Sequence, residues 1–326
     1  MLYLFSILYF YFLFSILSYI LLFMKHLLLL LTLHYALFTA AVQAQKSSFP
    51  VIGYYASWSG EPEDIQYDKL TQVNFSFAFP NSDGTVRLTD TDKLMSLVEL
   101  AHEQHVKVYL AIGGWDIGEG GGNDAIFETM ASKEASRKKF ASSLLFLIKE
   151  YELDGIDIDW EYPDSQENFL LLMKEIYPAL QVKNKKISVA VAGEGPHGSA
   201  ISKESFEYFD YLNIMAYDGG TPHSSYGYAL KCLDYWSLKG CPKEKIILGL
   251  PFYGKDPNVD YKVIIEGNPG AAQLDQLEDI NYNGIPTIQK KTLLAKERGA
   301  GVMIWEVSQD TNNQYSLLKA IQDALK

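Results

Sequence analysis

The chain has 326 residues, 48% hydrophobic and 13% aromatic, with a net charge of −12. That mixture excludes disordered and fibrous classes, and the acidity argues against nucleic acid or an anionic membrane surface as partner. Two cysteines, Cys232 and Cys241, are too few for a disulfide scaffold or a tetrahedral metal site.

The N-terminus reads as a targeting segment. Met1–Phe23 carries no charge and is long enough to span a bilayer, so a membrane anchor is one reading. From Met24 the pattern is that of a signal peptide: Lys25, an apolar core, then Val42-Gln43-Ala44 before a polar break at Gln45. The expectation is that residues 1–44 are removed, with 1–23 an upstream extension, and that residues 45–326 form one domain. A secreted or periplasmic monomer without a stable membrane partner is expected. An exported chain can oxidise its thiols, and Cys232 and Cys241 are expected to close a short loop. Two free buried thiols are the alternative.

From residue 45 onward, short β-branched and aromatic runs alternate with helix-like stretches. The predicted strands are Val51–Ala56, Gln72–Phe79, Lys107–Ile112, Gly155–Asp159, Lys186–Ala192, Tyr211–Ala216, Ile246–Phe252 and Val302–Trp305. Their near-continuous apolarity suits a parallel sheet covered on both faces. Helical patterns cover Thr89–Glu103, with Thr89 and Asp90 as cap candidates, and Ser132–Glu150, capped by Ser132. Ser165–Leu180 and Asn312–Leu325 carry apolar residues at helical spacing. Eight strands alternating with helices is the count of a single (β/α)8 barrel. An open doubly wound sheet is the runner-up, but no glycine-rich phosphate turn follows the first strand. The run Gly118–Gly122 lacks the form of a phosphate-binding loop and reads as a plain loop.

The fourth strand carries the chemistry. In "DGIDIDWE", Asp154–Glu161, residues two apart share a face. Asp157, Asp159 and Glu161 therefore point one way, and Ile156, Ile158 and Trp160 the other. Burying three carboxylates is costly unless protons are shared and hydrogen bonds supplied. Glu161 falls at the C-terminal strand end, where barrels keep their active sites. A solvated acidic edge and a divalent-metal site are the alternatives; no clustered His supports the metal, and no cofactor is called for.

These residues resemble the D-x-x-D-x-D-x-E signature of the family 18 glycoside hydrolases, the chitinases and endo-β-N-acetylglucosaminidases. "GYYASW" (Gly53–Trp58), "NFSFAF" (Asn74–Phe79), "AIGGW" (Ala111–Trp115), "MAYD" (Met215–Asp218), "LGLPFYG" (Leu248–Gly254) and "GVMIWEVSQD" (Gly301–Asp310) resemble its other strands, in order. The resemblance implies Glu161 as general acid/base and Asp159 as the group that orients the substrate acetamide. It implies that Asp157 shares a proton with Asp159 and that Tyr217 donates to the acetamide carbonyl. Asp218 would help hold the sugar, Trp305 would floor it, and Tyr54, Phe77 and Met215 would line the same pocket. Trp58 and Trp115 would stack on flanking sugars, and Tyr162 is a further pocket candidate. The implied activity is endo-hydrolysis of chitin or chitooligosaccharides. Cleavage of the N-glycan core and a non-catalytic sugar-binding barrel are the alternatives.

The chain departs from the family pattern at three points. Ala111 stands where Ser is common, which leaves open how Asp157 is satisfied; water or Tyr54 are the candidates. Lys255 follows "PFYG" where Arg is frequent, and a weaker sugar contact is one consequence. The interval between Gly254 and Gly301 leaves no room for the α+β domain that many chitinases insert there.

Overall fold

A computed structural model describes residues 23–28, 30, 49–114 and 125–326. Trp115, the Gly118–Gly122 run and the expected cleavage site at Ala44 lie outside these residues. The chain divides into two compact units at Ser48/Phe49. In the first unit, residues 23–28 are helical with exposed side chains. Among the described residues no helix is long and apolar enough to cross a membrane.

The second unit is a closed parallel barrel. Its strands are β1 (Val51–Ala56), β2 (Gln72–Pro80), β4 (Lys107–Gly113), β5 (Gly155–Asp159), β6 (Lys186–Ala192), β7 (Tyr211–Met215), β8 (Ile246–Pro251) and β13 (Gly301–Trp305). Each pairs in parallel with its sequence neighbour, and β1 pairs with both β2 and β13. That double pairing closes the ring and rules out the open sheet. A short β3 (Val86–Leu88) adds antiparallel to the end of β2. Two ribbons of two-residue strands, β9 (Tyr253–Gly254) with β10 (Val259–Asp260) and β11 (Gln276–Leu277) with β12 (Ile280–Asn281), follow β8. They occupy the interval where related barrels carry an inserted domain, and they belong to the same compact unit.

The helices lie outside the ring: α1 (Thr91–Glu103), α2 (Ala125–Ala131), α3 (Glu134–Glu150), α4 (Gln166–Gln181), α5 (Tyr226–Leu238), α6 (Tyr261–Gly267), α7 (Ile285–Arg298) and α8 (Leu317–Leu325). Ser165 caps α4 by accepting from the Asn168 amide at 3.1 Å. Two expected caps fail because their side chains bond elsewhere. Asp90 has left-handed backbone, and its carboxylate takes the Ser57 hydroxyl instead. Ser132 donates to the Thr129 carbonyl, so α3 starts two residues later, at Glu134.

The two faces of each strand bury different things. Outward-pointing Ile156, Ile158 and Trp160 join the layer between sheet and helices, where Trp160 stacks on Phe127 at 5.0 Å. Burying each isoleucine stabilises the fold by about 1.5–3 kcal/mol. The barrel interior holds a smaller apolar cluster of Ile52, Tyr54, Phe77, Ala111, Ile247 and Met303. Asn74, Asp157, Ser188 and Asn213, all fully buried, are polar breaks in strands β2, β5, β6 and β7.

The expected disulfide is not formed: Cys232 and Cys241 are free and buried. Cys232 lies in the middle of α5 and faces Tyr228 and the Gly193 backbone, whereas Cys241 sits beyond the helix end against Pro242. Burial pushes both thiols up to about 12, so native protein should react slowly. A thiol reagent should label both cysteines once the protein is unfolded without reductant. No labelling under those conditions would contradict the fold described here.

Candidate active site

Strand β5 places the carboxylate row by simple alternation. Asp157 lies at mid-strand, Asp159 ends the strand and Glu161 follows it; all three are buried. In register, Asp157 sits between Ala111 of β4 and Ser188 of β6. Gly113, opposite Asp159, has φ +123°, and a Cβ there would lie 2.0 Å from the Asp159 carbonyl oxygen. Only glycine fits at that position.

Asp157 is held in the barrel interior by three donors. Tyr54 donates to it at 2.7 Å, Ser188 at 2.5 Å and the Asn213 amide at 3.0 Å. Asn213 also donates to the Tyr54 hydroxyl at 3.0 Å. The hydroxyl missing at Ala111 is thus replaced from the opposite neighbour strand, and Tyr54 contributes as expected. Burial pushes the Asp157 carboxyl up, while the three donors pull it back, leaving it at about 6. Asp157 can therefore exchange a proton near neutral pH. Three of its four acceptor sites are taken by these donors, which speaks against a metal-ligand role and leaves one for a proton.

Aromatic rings build the opposite wall. Trp305, at the end of β13, stacks with Phe77 at 5.8 Å and 19°, and approaches Tyr54 at 5.7 Å and Trp58 at 6.5 Å. Trp58 is 65% exposed, which leaves a ring face available to a ligand. Tyr217 points its hydroxyl toward the Met303 sulfur at 3.8 Å. Burial, then its phenolic and acidic neighbours, hold its proton firmly, so Tyr217 can act only as a hydrogen-bond donor or acceptor. Burial likewise raises Tyr162, with the charge of Glu161 and a hydrogen bond to it adding to the effect.

Asp218 anchors a third side. Lys255 pairs with it at 2.7 Å, Tyr253 donates at 2.9 Å and His223 Nδ1 lies at 3.2 Å. Burial alone would raise this carboxyl, but those three partners outweigh it and hold it at about 2. Lys255 is thus engaged with Asp218.

These groups share one cleft of about 910 Å³. It brings together Tyr54, Trp58, Phe77, Asp159, Glu161, Tyr162, Met215, Tyr217, Asp218 and Trp305. Asp157 lies beneath it, and Trp115 is outside the described residues. Sequence reasoning missed Ser188 and Asn213 under the row, and Tyr253, His223, Glu194 and Met303 around it. Ser188 and Asn213 did carry a signal: each is the one polar residue in the buried stretch of its strand.

The three donors favour the charged form of Asp157, so removing one should raise its pKa. In Ser188→Ala, the Asp157 carboxyl carbon followed by nuclear magnetic resonance should titrate above about 6. A midpoint unchanged or lower would show that Ser188 does not act on this acid.

The sequence matches the family model described as Glycosyl hydrolases family 18 over residues 50–310. A probable endochitinase of Caenorhabditis elegans is 31% identical, over 65% of this chain and 40% of that protein. A chitinase of Bacteroides thetaiotaomicron has a solved structure that is 32% identical with a TM-score of 0.75, covering 85% of this chain and 96% of that one. The chitinase ChiB of Flavobacterium johnsoniae gives 27% identity and a TM-score of 0.77, with 86% and 94% covered. This chain spans less than two thirds of the length of the curated relatives at the head of the matches. With the match spanning most of the barrel and the acidic row on its fourth parallel strand, the chain belongs to glycosyl hydrolase family 18.

Proposed function

We propose that this chain hydrolyses β-1,4 bonds next to N-acetylglucosamine in chitin and chitooligosaccharides, cutting within the polymer and retaining anomeric configuration. The observation that carries the reading is the row Asp157–Asp159–Glu161, its inner member held by three donors at 2.5–3.0 Å and its outer members lining the cleft with Trp305. Family 18 enzymes use the substrate itself as nucleophile, and each group has a place in that chemistry.

The reacting sugar rests on Trp305. Its acetamide oxygen attacks the anomeric carbon while Glu161 gives a proton to the departing glycosidic oxygen. The bond between anomeric carbon and leaving oxygen breaks, and a cyclic oxazolinium ion forms. Its positive charge is balanced by Asp159 once the proton between the two aspartates rests on Asp157, whose raised pKa suits it to that task. Tyr217 donates to the acetamide oxygen and keeps it aimed. Glu161, now a carboxylate, takes a proton from water, which opens the ring with net retention.

Cleavage of the chitobiose core of N-glycans uses the same groups and is the second reading. A sugar-binding barrel without catalysis is disfavoured by the presence of Glu161 beside Asp159. Comparing colloidal chitin with a high-mannose glycoprotein separates the first two. Glu161→Gln should lose about 10²–10⁴-fold in rate yet still bind chitooligosaccharide, and Asp159→Asn should lose most turnover. Cellulose and fully deacetylated chitosan lack the acetamide and should remain uncut. Cellulose cleaved as fast as chitin, or full activity in Glu161→Gln, would sink the assignment.

We also propose export with cleavage after Ala44, supported by the small residues of Val42-Gln43-Ala44 before Gln45. N-terminal sequencing of exported protein should begin at Gln45. Finding Met1 intact would reject it.

A further inference from the structure

Lys291, on the inner face of α7, is completely buried. Among the described residues no carboxylate forms an ion pair with it. Burial draws its pKa down to about 7, although the charge of Asp275 acts to raise it. Burying a lysine without an ion-pair partner is costly, so what it binds matters. Its Nζ donates to the Ser224 carbonyl and the Ser224 hydroxyl, both at 2.7 Å, and to Asn283 Oδ1 at 2.6 Å. Three acceptors match the three N–H groups of an ammonium, whereas a neutral amine has two.

Ser224 is the far end of the turn that displays Tyr217 and Asp218. Its hydroxyl accepts from Lys291 and donates to the Ala216 carbonyl at 2.9 Å. The Asn283 amide donates to the Ser224 carbonyl at 2.8 Å. Within the turn, the Gly219 amide donates to the His223 carbonyl at 3.1 Å, and His223 Nδ1 lies 3.2 Å from Asp218. Asp218 itself has φ +59°, in the left-handed region that disfavours residues other than glycine. Such a conformation persists only where surrounding structure over-determines it. Ser224 ties its own end of the turn to the other end at Ala216, and Ser224 is tied to α7 through Lys291.

We infer that Lys291 is a positioning residue for the site: by holding Ser224 it locks the Ala216–Ser224 turn and keeps Tyr217 and Asp218 aimed into the cleft. It touches no substrate and acts through Ser224. The effect on catalysis rests on the enzymatic reading above; the effect on the turn does not.

The test is a double-mutant cycle with a separate readout of the turn. Lys291→Met should lower kcat/KM on chitooligosaccharide by about tenfold or more, while in an Asp218→Asn background the same change should cost a clearly smaller factor, the remainder acting through Tyr217. Equal factors in both backgrounds, or an unchanged kcat/KM, would overturn the inference. Circular dichroism confirms that each variant is folded at the assay temperature. If Lys291→Met does not fold, Ser224→Ala removes the same link and enters the same cycle. Hydrogen exchange of the Gly219 amide should rise at least about tenfold in the variant, while the Gly299 amide, which closes the end of α7 on Ala295, keeps its protection. Equal exchange at Gly219 in wild type and variant would also overturn it. A wild type that cuts no N-acetylglucosamine polymer would fail the enzymatic reading alone, and the exchange result would still decide the role of Lys291 in the turn.

Discussion

A carboxyl group buried in the middle of a barrel governs much of this structure. Asp157 has no access to water, and its charge can exist there only because oxygen and nitrogen donors surround it. Those donors come from three strands: Tyr54 from β1, Ser188 from β6 and Asn213 from β7. Each occupies an inward position that an apolar side chain would otherwise fill. The interior is accordingly split between a small apolar cluster and a polar shaft beneath the cleft. Half-satisfying such a network would be worse than omitting it, so its members stand or fall together.

The electrostatic consequences differ across the cleft. Asp157 is desolvated and only partly compensated, so it titrates at about 6. Asp218, at the exposed rim of the cleft, meets a lysine, a phenol and an imidazole and stays at about 2. One acid is thereby suited to moving a proton and the other to holding a fixed charge. The same residue type serves two purposes because its neighbours differ, which is how a barrel assembles acid–base chemistry from common parts.

How much of this was visible in the chain depends on whether the signal is local. The carboxylate row shows itself within eight residues, because alternation along one strand needs no partner. Barrel closure was legible from the count of apolar runs, and strand limits fell within a residue or so. The supports of Asp157 were not singled out, because Ser188 becomes its partner only when β5 and β6 align in register. Caps at Asp90 and Ser132 looked right locally and lost to tertiary and turn contacts. The cysteine pair was close in sequence, yet the helix turned one thiol toward Gly193 and left the other beyond its end.

Closure of the ring also has a kinetic side. Tyr54 reaches Asp157 across 103 positions, and Asn213 reaches Tyr54 across 159. The first strand must hydrogen-bond to the last, Val51 beside Val302. A chain emerging from a ribosome therefore exposes one barrel seam until β13 has been made. Contacts so distant in sequence make for slow folding, and the acid shaft cannot be complete while that seam is open. Any carrier that holds the nascent chain must shield the two unpaired edges, those of β1 and β8, until β13 arrives to zip them shut.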